Sequence, residues 1–302
     1  MSFEPLTEER IETDSTYDAG TTTQLMWGAR SDVGCVRPHN EDSYLVQSPL
    51  FCVCDGMGGH AAGEVASSIA VETIAKTAPQ SADAARLAAA VEAANAAVIE
   101  AALNGLGKPG MGCTATCAYI ENDTLAIAHV GDSRAYLLHE GTLIRVTRDH
   151  SYVEELVDAG EITADEARVH PNRSVITRAL GSDPAMYADH FTLHIEEGDR
   201  LILCSDGLSS MIPDSDIENI ATQSSTAQIC VDNLVDAALA AGGHDNVTVV
   251  VVDLVDDGVM REAQRVRRRN ITIAAILALV FVLAAGIWAY TGVTGSYYLG
   301  TY

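Results

Sequence analysis

The chain has 302 residues, 48% of them apolar, and its 42 acidic against 18 basic side chains leave a formal net charge of -24. That length holds one large or two ordinary domains with a substantial core. The acidic excess argues against a nucleic-acid footprint and repels bulk phosphate polymers, so a site for phosphate esters needs cations of its own.

From the N-terminus, residues 1 to about 21 are acidic, rich in Thr and Ser and without hydrophobic period, which reads as a disordered leader. They lack the basic start and apolar stretch of a signal peptide. A folded domain is expected over 22–254, with short β-rich runs at 43–46, 50–54, 114–120, 125–130, 201–204 and 247–252. Alanine-rich helices are predicted over 61–78 and 82–104, the second broken by the four glycines and one proline of 105–112. Two more are predicted over 214–221 and 226–241, the last stopped by Gly242-Gly243. Helices grouped in pairs, rather than one after every strand, favour an α+β layered sandwich over a doubly wound parallel sheet. A polar insert over 149–174, with a short helix, a loop and His170-Pro171, is a candidate flap.

The seven cysteines are odd in number and several lie inside apolar runs, which points to reduced thiols in a cytosolic compartment. Cys52-Val53-Cys54 is not a CxxC motif, and its two side chains are expected on opposite faces of a strand. Cys113 and Cys117 lack a second pair and nearby histidines, so no zinc site is expected there.

After 254 the composition changes. A basic juxtamembrane linker, 255–270, carries Arg261, Arg265, Arg267, Arg268 and Arg269. Residues 271–290 have no charge and end on Trp288 and Tyr290. Twenty helical residues rise about 30 Å, enough to cross a bilayer. The expectation is one C-terminal transmembrane helix in the cell membrane, with the arginines marking the cytoplasmic side and the large domain facing the cytoplasm. Residues 291–302 form a short extracytoplasmic tail.

The chemistry is written at the edges of the apolar runs. Asp55-Gly56 follows 50–54, Gly131-Asp132-Ser133-Arg134 follows 125–130, Ser205-Asp206-Gly207 follows 201–204, and Asp245-Asn246 precedes 247–252. A carboxylate at a buried strand end is costly unless something positive compensates it. Repetition of the arrangement points to one acidic pocket for hard divalent cations. A lone strand-edge Asp is usually a cap or a turn residue, and the set is harder to explain that way. Asp55 has two oxygens that can reach two cations, and Gly56 leaves its carbonyl accessible. The Gly-rich stretch 56–59 fits neither GxxxxGK[ST] nor GxGxxG. Arg37, just before Glu41-Asp42, joins an anion-binding guanidinium to carboxylates for ion-bound water.

Ser31-Asp32-Val33-Gly34, Arg37-Pro38-His39-Asn40-Glu41-Asp42, Asp55-Gly56-Met57-Gly58-Gly59-His60, Gly131-Asp132-Ser133-Arg134, Asp149-His150-Ser151, His170-Pro171, 176–181, Ser205-Asp206-Gly207 and Gly243-His244-Asp245-Asn246 occur in that order. Together they resemble the metal-dependent PPM-type (type 2C) Ser/Thr protein phosphatases, in their bacterial branch. The membrane-anchored layout resembles the actinobacterial members that oppose transmembrane Ser/Thr kinases. The resemblance implies a central antiparallel β-sandwich flanked by helices in four αββα layers, and hydrolysis of phosphoserine and phosphothreonine in proteins. It implies two Mn²⁺ or Mg²⁺ ions and a third in many bacterial members. Asp55, the Gly56 carbonyl, Asp206 and Asp245 would hold the pair; Asp132 and Asp206, with Ser174, would hold the third. Glu41 and Asp42 would act through bound water, and Arg37 would hold the substrate phosphate. Relatives with a histidine directly after Asp-Gly use it as general acid; Met57 stands there, and His60 is the nearby candidate. The implied partners are phosphorylated proteins, among them Ser/Thr kinases and their substrates, and the lipid bilayer. The alternative is a catalytically weak phosphoprotein-docking module, which loss of any metal-binding aspartate would favour; all are present.

Overall fold

The computed structural model describes residues 15–22, 24–58 and 62–255. In chain order the strands are β1 (Ser15–Thr21), β2 (Leu25–Asp32), β3 (Ser43–Gln47), β4 (Leu50–Cys54), β5 (Gly56–Met57), β6 (Gly112–Cys113), β7 (Ala115–Glu121), β8 (Thr124–Val130), β9 (Arg134–His139), β10 (Thr142–Arg145), β11 (Asp189–His194), β12 (Arg200–Cys204) and β13 (Val247–Leu254). The helices are α1 (Ala62–Thr77), α2 (Ala84–Leu103), α3 (Tyr152–Asp158), α4 (Ala164–Arg168), α5 (Asp206–Ser209), α6 (Asp214–Gln223) and α7 (Ala227–Ala240).

Two antiparallel sheets stack face to face. One runs β1-β2-β13-β12-β9-β10, the other β11-β8-β7-β4-β3, and β5-β6 form a separate ribbon. The central strands β4, β12 and β13 carry near-continuous apolar runs because both faces are buried. Phe51, Val53, Leu201, Leu203, Val250 and Val252 point between the sheets. Leu50, Cys52 and Cys54 pack under α1 and α2, while Ile202, Cys204, Val249 and Val251 pack under α6 and α7. The order helix pair, sheet, sheet, helix pair is the four-layer α+β sandwich expected above.

Three expectations need correction. The segment 15–21 is not part of a disordered leader: it is edge strand β1, in register with β2 from Ser15↔Asp32 to Thr21↔Met26. Its side chains are mostly exposed, so the backbone ladder, the Ser15–Asp32 hydrogen bond and the stacking of Arg30 on Tyr17 hold it without any apolar pattern. Cys52 and Cys54 lie on one face, their sulfurs 3.6 Å apart, because residues two apart in a strand share a side. The flap carries two short helices, not one. Ser151 caps α3, and Thr163 with Glu166 forms a capping box on α4. No described helix is long and apolar enough to cross a membrane. The transmembrane helix 271–290, the tail 291–302, the linker beyond residue 255 and the leader before residue 15 lie outside the described residues.

Candidate active site

Five strand-edge carboxylates meet at one end of the sandwich. Asp55 stands between β4 and β5, Asp132 follows β8, Asp206 opens α5 directly after β12, Asp245 precedes β13, and Asp42 precedes β3. Both sheets contribute, so neither sheet alone carries the site. Backbone contacts fix the approach. Asp55 N–H donates to Thr114 Oγ1 at 2.9 Å, and Thr114 N–H returns a bond to the Asp55 carbonyl at 2.9 Å. A Cβ on Gly56 would stand 2.3 Å from the Glu41 carbonyl oxygen and 2.4 Å from that of Gly63. A Cβ on Gly207 would stand 1.9 Å from the Asn246 carbonyl oxygen. Glycine after each aspartate therefore lets distant segments touch where the carboxylates emerge.

The electrostatics record the convergence. Burial, then the charges of Asp42, Asp206, Asp132 and Asp245, push Asp55 well above the usual carboxylate range. Burial and the charges of Asp206 and Asp149 push Asp132 the same way. Asp206 is raised to about 6, by burial first and the Asp245 charge second. Asp42 rises to about 7 through burial, although hydrogen bonds from Thr248 and Ser205 oppose the shift. The Thr248 hydroxyl donates to Asp42 Oδ2 at 2.6 Å. Asp132 Oδ1 is buried and has no hydrogen-bond partner among the described residues. Arg37 sits at the rim, half-exposed, with Nη2 donating to Asp245 Oδ2 at 2.7 Å.

A cleft of about 580 Å³ opens beside this cluster, between the flap and α5–α6. Asp132, Asp206 and Asp245 line it, and so does Ser174, carried to the same cleft by the flap. Glu41 is half-buried, and its N–H bonds the Asn246 side chain at 2.8 Å. His60 lies outside the described residues. His129 and His150 brace the turn that carries Asp132 rather than entering the cleft. His150 Nδ1 accepts from Gly131 N–H at 3.0 Å, its other nitrogen meets Asp189 at 3.1 Å, and the two rings stack at 5.0 Å. Burial lowers His129 to about 4, which keeps it neutral. Thr114 and Thr248 are not marked by any motif, and Ser205 is named only as part of Ser205-Asp206-Gly207 with no role, because these hydroxyls bond backbone or carboxylate only once the strands have assembled.

Among the described residues, no group of three or more His, Cys, Asp and Glu side chains forms a ready-made ion cage. The donor set nevertheless fits hard divalent cations. It is all oxygen, it is short of protein counter-charge, and it contains an orphaned buried carboxylate oxygen.

A sequence model of protein phosphatase 2C matches residues 29–247. The chain belongs to the protein phosphatase 2C family. Among its relatives, the serine/threonine protein phosphatase PstP of Mycobacterium tuberculosis is 43% identical over 244 residues, which are 79% of this chain and 46% of that protein. The chain thus spans about half the length of this curated relative. The serine/threonine phosphatase stp of Listeria welshimeri is 37% identical over 236 residues, 74% of this chain and 94% of that one. A crystal structure of the PstP catalytic domain in complex with two manganese ions superposes with a TM-score of 0.71 at 40% identity, covering 77% of this chain and 99% of that one. The phosphatase 2C match begins at Ala29 and ends at Val247, so it takes in all five carboxylates and Arg37.

Proposed function

We propose that this phosphatase 2C domain hydrolyses phosphoserine and phosphothreonine in proteins with a pair of Mn²⁺ or Mg²⁺ ions. The observation that carries the reading is the convergence of Asp55, Asp206 and Asp245, from three strand ends, into one neighbourhood of mutually repelling carboxylates. When bound, such a cation pair lowers the pKa of water towards neutrality and screens the phosphate oxygens.

The chain's own groups have distinct roles. Asp55, the Gly56 carbonyl, Asp206 and Asp245 hold the ion pair, and Asp132 and Asp206 with Ser174 hold a third. Glu41 and Asp42 orient water at the edge of the cluster. Arg37, on an exposed loop beside Asp245, receives the phosphate of the incoming side chain and offsets charge on its oxygens. None of the seven cysteines has an arginine six residues on, which agrees with direct attack by water rather than a phosphocysteine route. Release of a phosphothreonine peptide's phosphate should require added Mn²⁺ or Mg²⁺ and stop in chelator. Full turnover in excess EDTA would remove the proposal.

The uncharged stretch 271–290 and its arginine flank support a single-pass anchor with the catalytic domain on the cytoplasmic side, where membrane Ser/Thr kinases and their substrates are the partners. A chain ending at residue 260 should leave the membrane fraction; retention there would defeat the anchor.

A further inference from the structure

The loop from residue 33 to residue 42 carries Arg37, Glu41 and Asp42, yet it contains no helix or strand, and residues 35–39 are exposed. Such a loop does not place a guanidinium by itself. The side chain of Asn246, 5% exposed and immediately before β13, reaches both of its ends. Asn246 Oδ1 accepts from Glu41 N–H at 2.8 Å, while Nδ2 donates to the Val33 and His39 carbonyl oxygens, each at 2.9 Å. One donor and two acceptors face the amide, so only one of its two orientations satisfies them. The Asn246 backbone N–H bonds Asp245 Oδ1 at 2.9 Å, and its carbonyl packs against Gly207. One residue thus touches the Arg37 loop, Asp245 and the segment that follows Asp206.

Resting on the assignment of Arg37 to the substrate phosphate, we infer that Asn246 is a positioning residue whose amide staples the Arg37 loop to the strand that carries Asp245. Other ties hold the two ends of the loop, Cys35 N–H to the Gly243 carbonyl at 2.7 Å on one side, and Asn40 Nδ2 to Ser31 Oγ at 2.8 Å and Ser67 Oγ to the Glu41 carbonyl at 2.7 Å on the other. Loss of the staple therefore loosens the stretch between them, which carries Arg37, while both ends stay pinned. Arg37 then samples positions away from the phosphate, and displacement by about 1 Å is enough to cost on the order of 10²-fold in rate.

A double-mutant cycle tests this. Wild type, Asn246→Ala, Arg37→Ala and the double variant are compared for kcat and KM on a phosphothreonine peptide at saturating Mn²⁺, with thermal melts as a fold control. Asn246→Ala should lower kcat/KM by about 10- to 100-fold. In the Arg37→Ala background the same change should cost less than about threefold, because the group it positions is gone. Losses that multiply would overturn the inference. Wild-type kcat/KM in Arg37→Ala would overturn the phosphate assignment, and the inference with it, by a different signature. If Asn246→Ala does not fold, Asn246→Ser with amide exchange decides. Glu41 N–H should exchange at least about tenfold faster while the β12 and β13 amides are unchanged. An unaltered Glu41 amide would show that no staple exists.

Discussion

The carboxylates along the sheets and the carboxylates at the mouth are the same side chains in opposite surroundings. Along the sheets the buried acids have cationic partners, a histidine for Asp199 (His139 Nδ1 at 2.7 Å) and arginines for the others named next. Asp253 takes two bonds from Arg200, at 2.6 and 3.0 Å. Asp149 is gripped by Arg134 at 2.7 to 3.0 Å, and Arg30 bridges Asp32 and Asp236 at 3.2 and 2.7 Å. At the mouth, Asp42, Asp55, Asp132 and Asp206 have no ion-pair partner among the described residues, and only Asp245 meets a cation, at the exposed rim. Paired acids serve the fold. Unpaired ones keep a cost that a bound cation offsets, and that difference marks the site more clearly than any single motif.

Exchange of one acid from each group breaks the comparison most sharply. Asp206→Ala should lower turnover by about 10³-fold, the equivalent of roughly 4 kcal/mol, while the metal-free protein keeps its stability. Asp253→Ala should do the reverse, costing about 3 kcal/mol of stability by stranding Arg200 while the folded fraction keeps its turnover. Rate assays and denaturant melts on both variants check this; parallel losses in both would erase the distinction.

A smaller effect follows from pH. Asp42 and Asp206 bind protons in the folded state up to about pH 7 and 6, whereas ordinary carboxylates release theirs near pH 4. Between those limits the folded chain holds more protons than the unfolded one, so metal-free stability falls as pH rises through this window. Mn²⁺ should therefore raise the melting temperature more at pH 7.5 than at pH 5.5. Equal shifts at the two pH values would mean that the mouth carboxylates are not strained.

Much of this was legible before any coordinates. Asp-Gly after an apolar run marks a strand end where a backbone must come close, and Asp55-Gly56 and Asp206-Gly207 both behave that way. Both central helix pairs lie within a few residues of their predicted bounds, because alanine content and Gly-Gly stops are local signals. Strand β1 was hidden, since an edge strand held by backbone bonds needs no apolar side chains. Helix α4 had its signature in Thr163-x-x-Glu166, but five residues are too few to show a period. The grip of Thr248 on Asp42, across 206 residues, has no trace in local pattern.

Titration calorimetry of the metal-free protein with Mn²⁺ tests the central claim most directly. At least two ions should bind per wild-type chain, and Asp55→Ala should abolish the pair, since that carboxylate faces all the others. Wild-type stoichiometry and affinity in Asp55→Ala would contradict it.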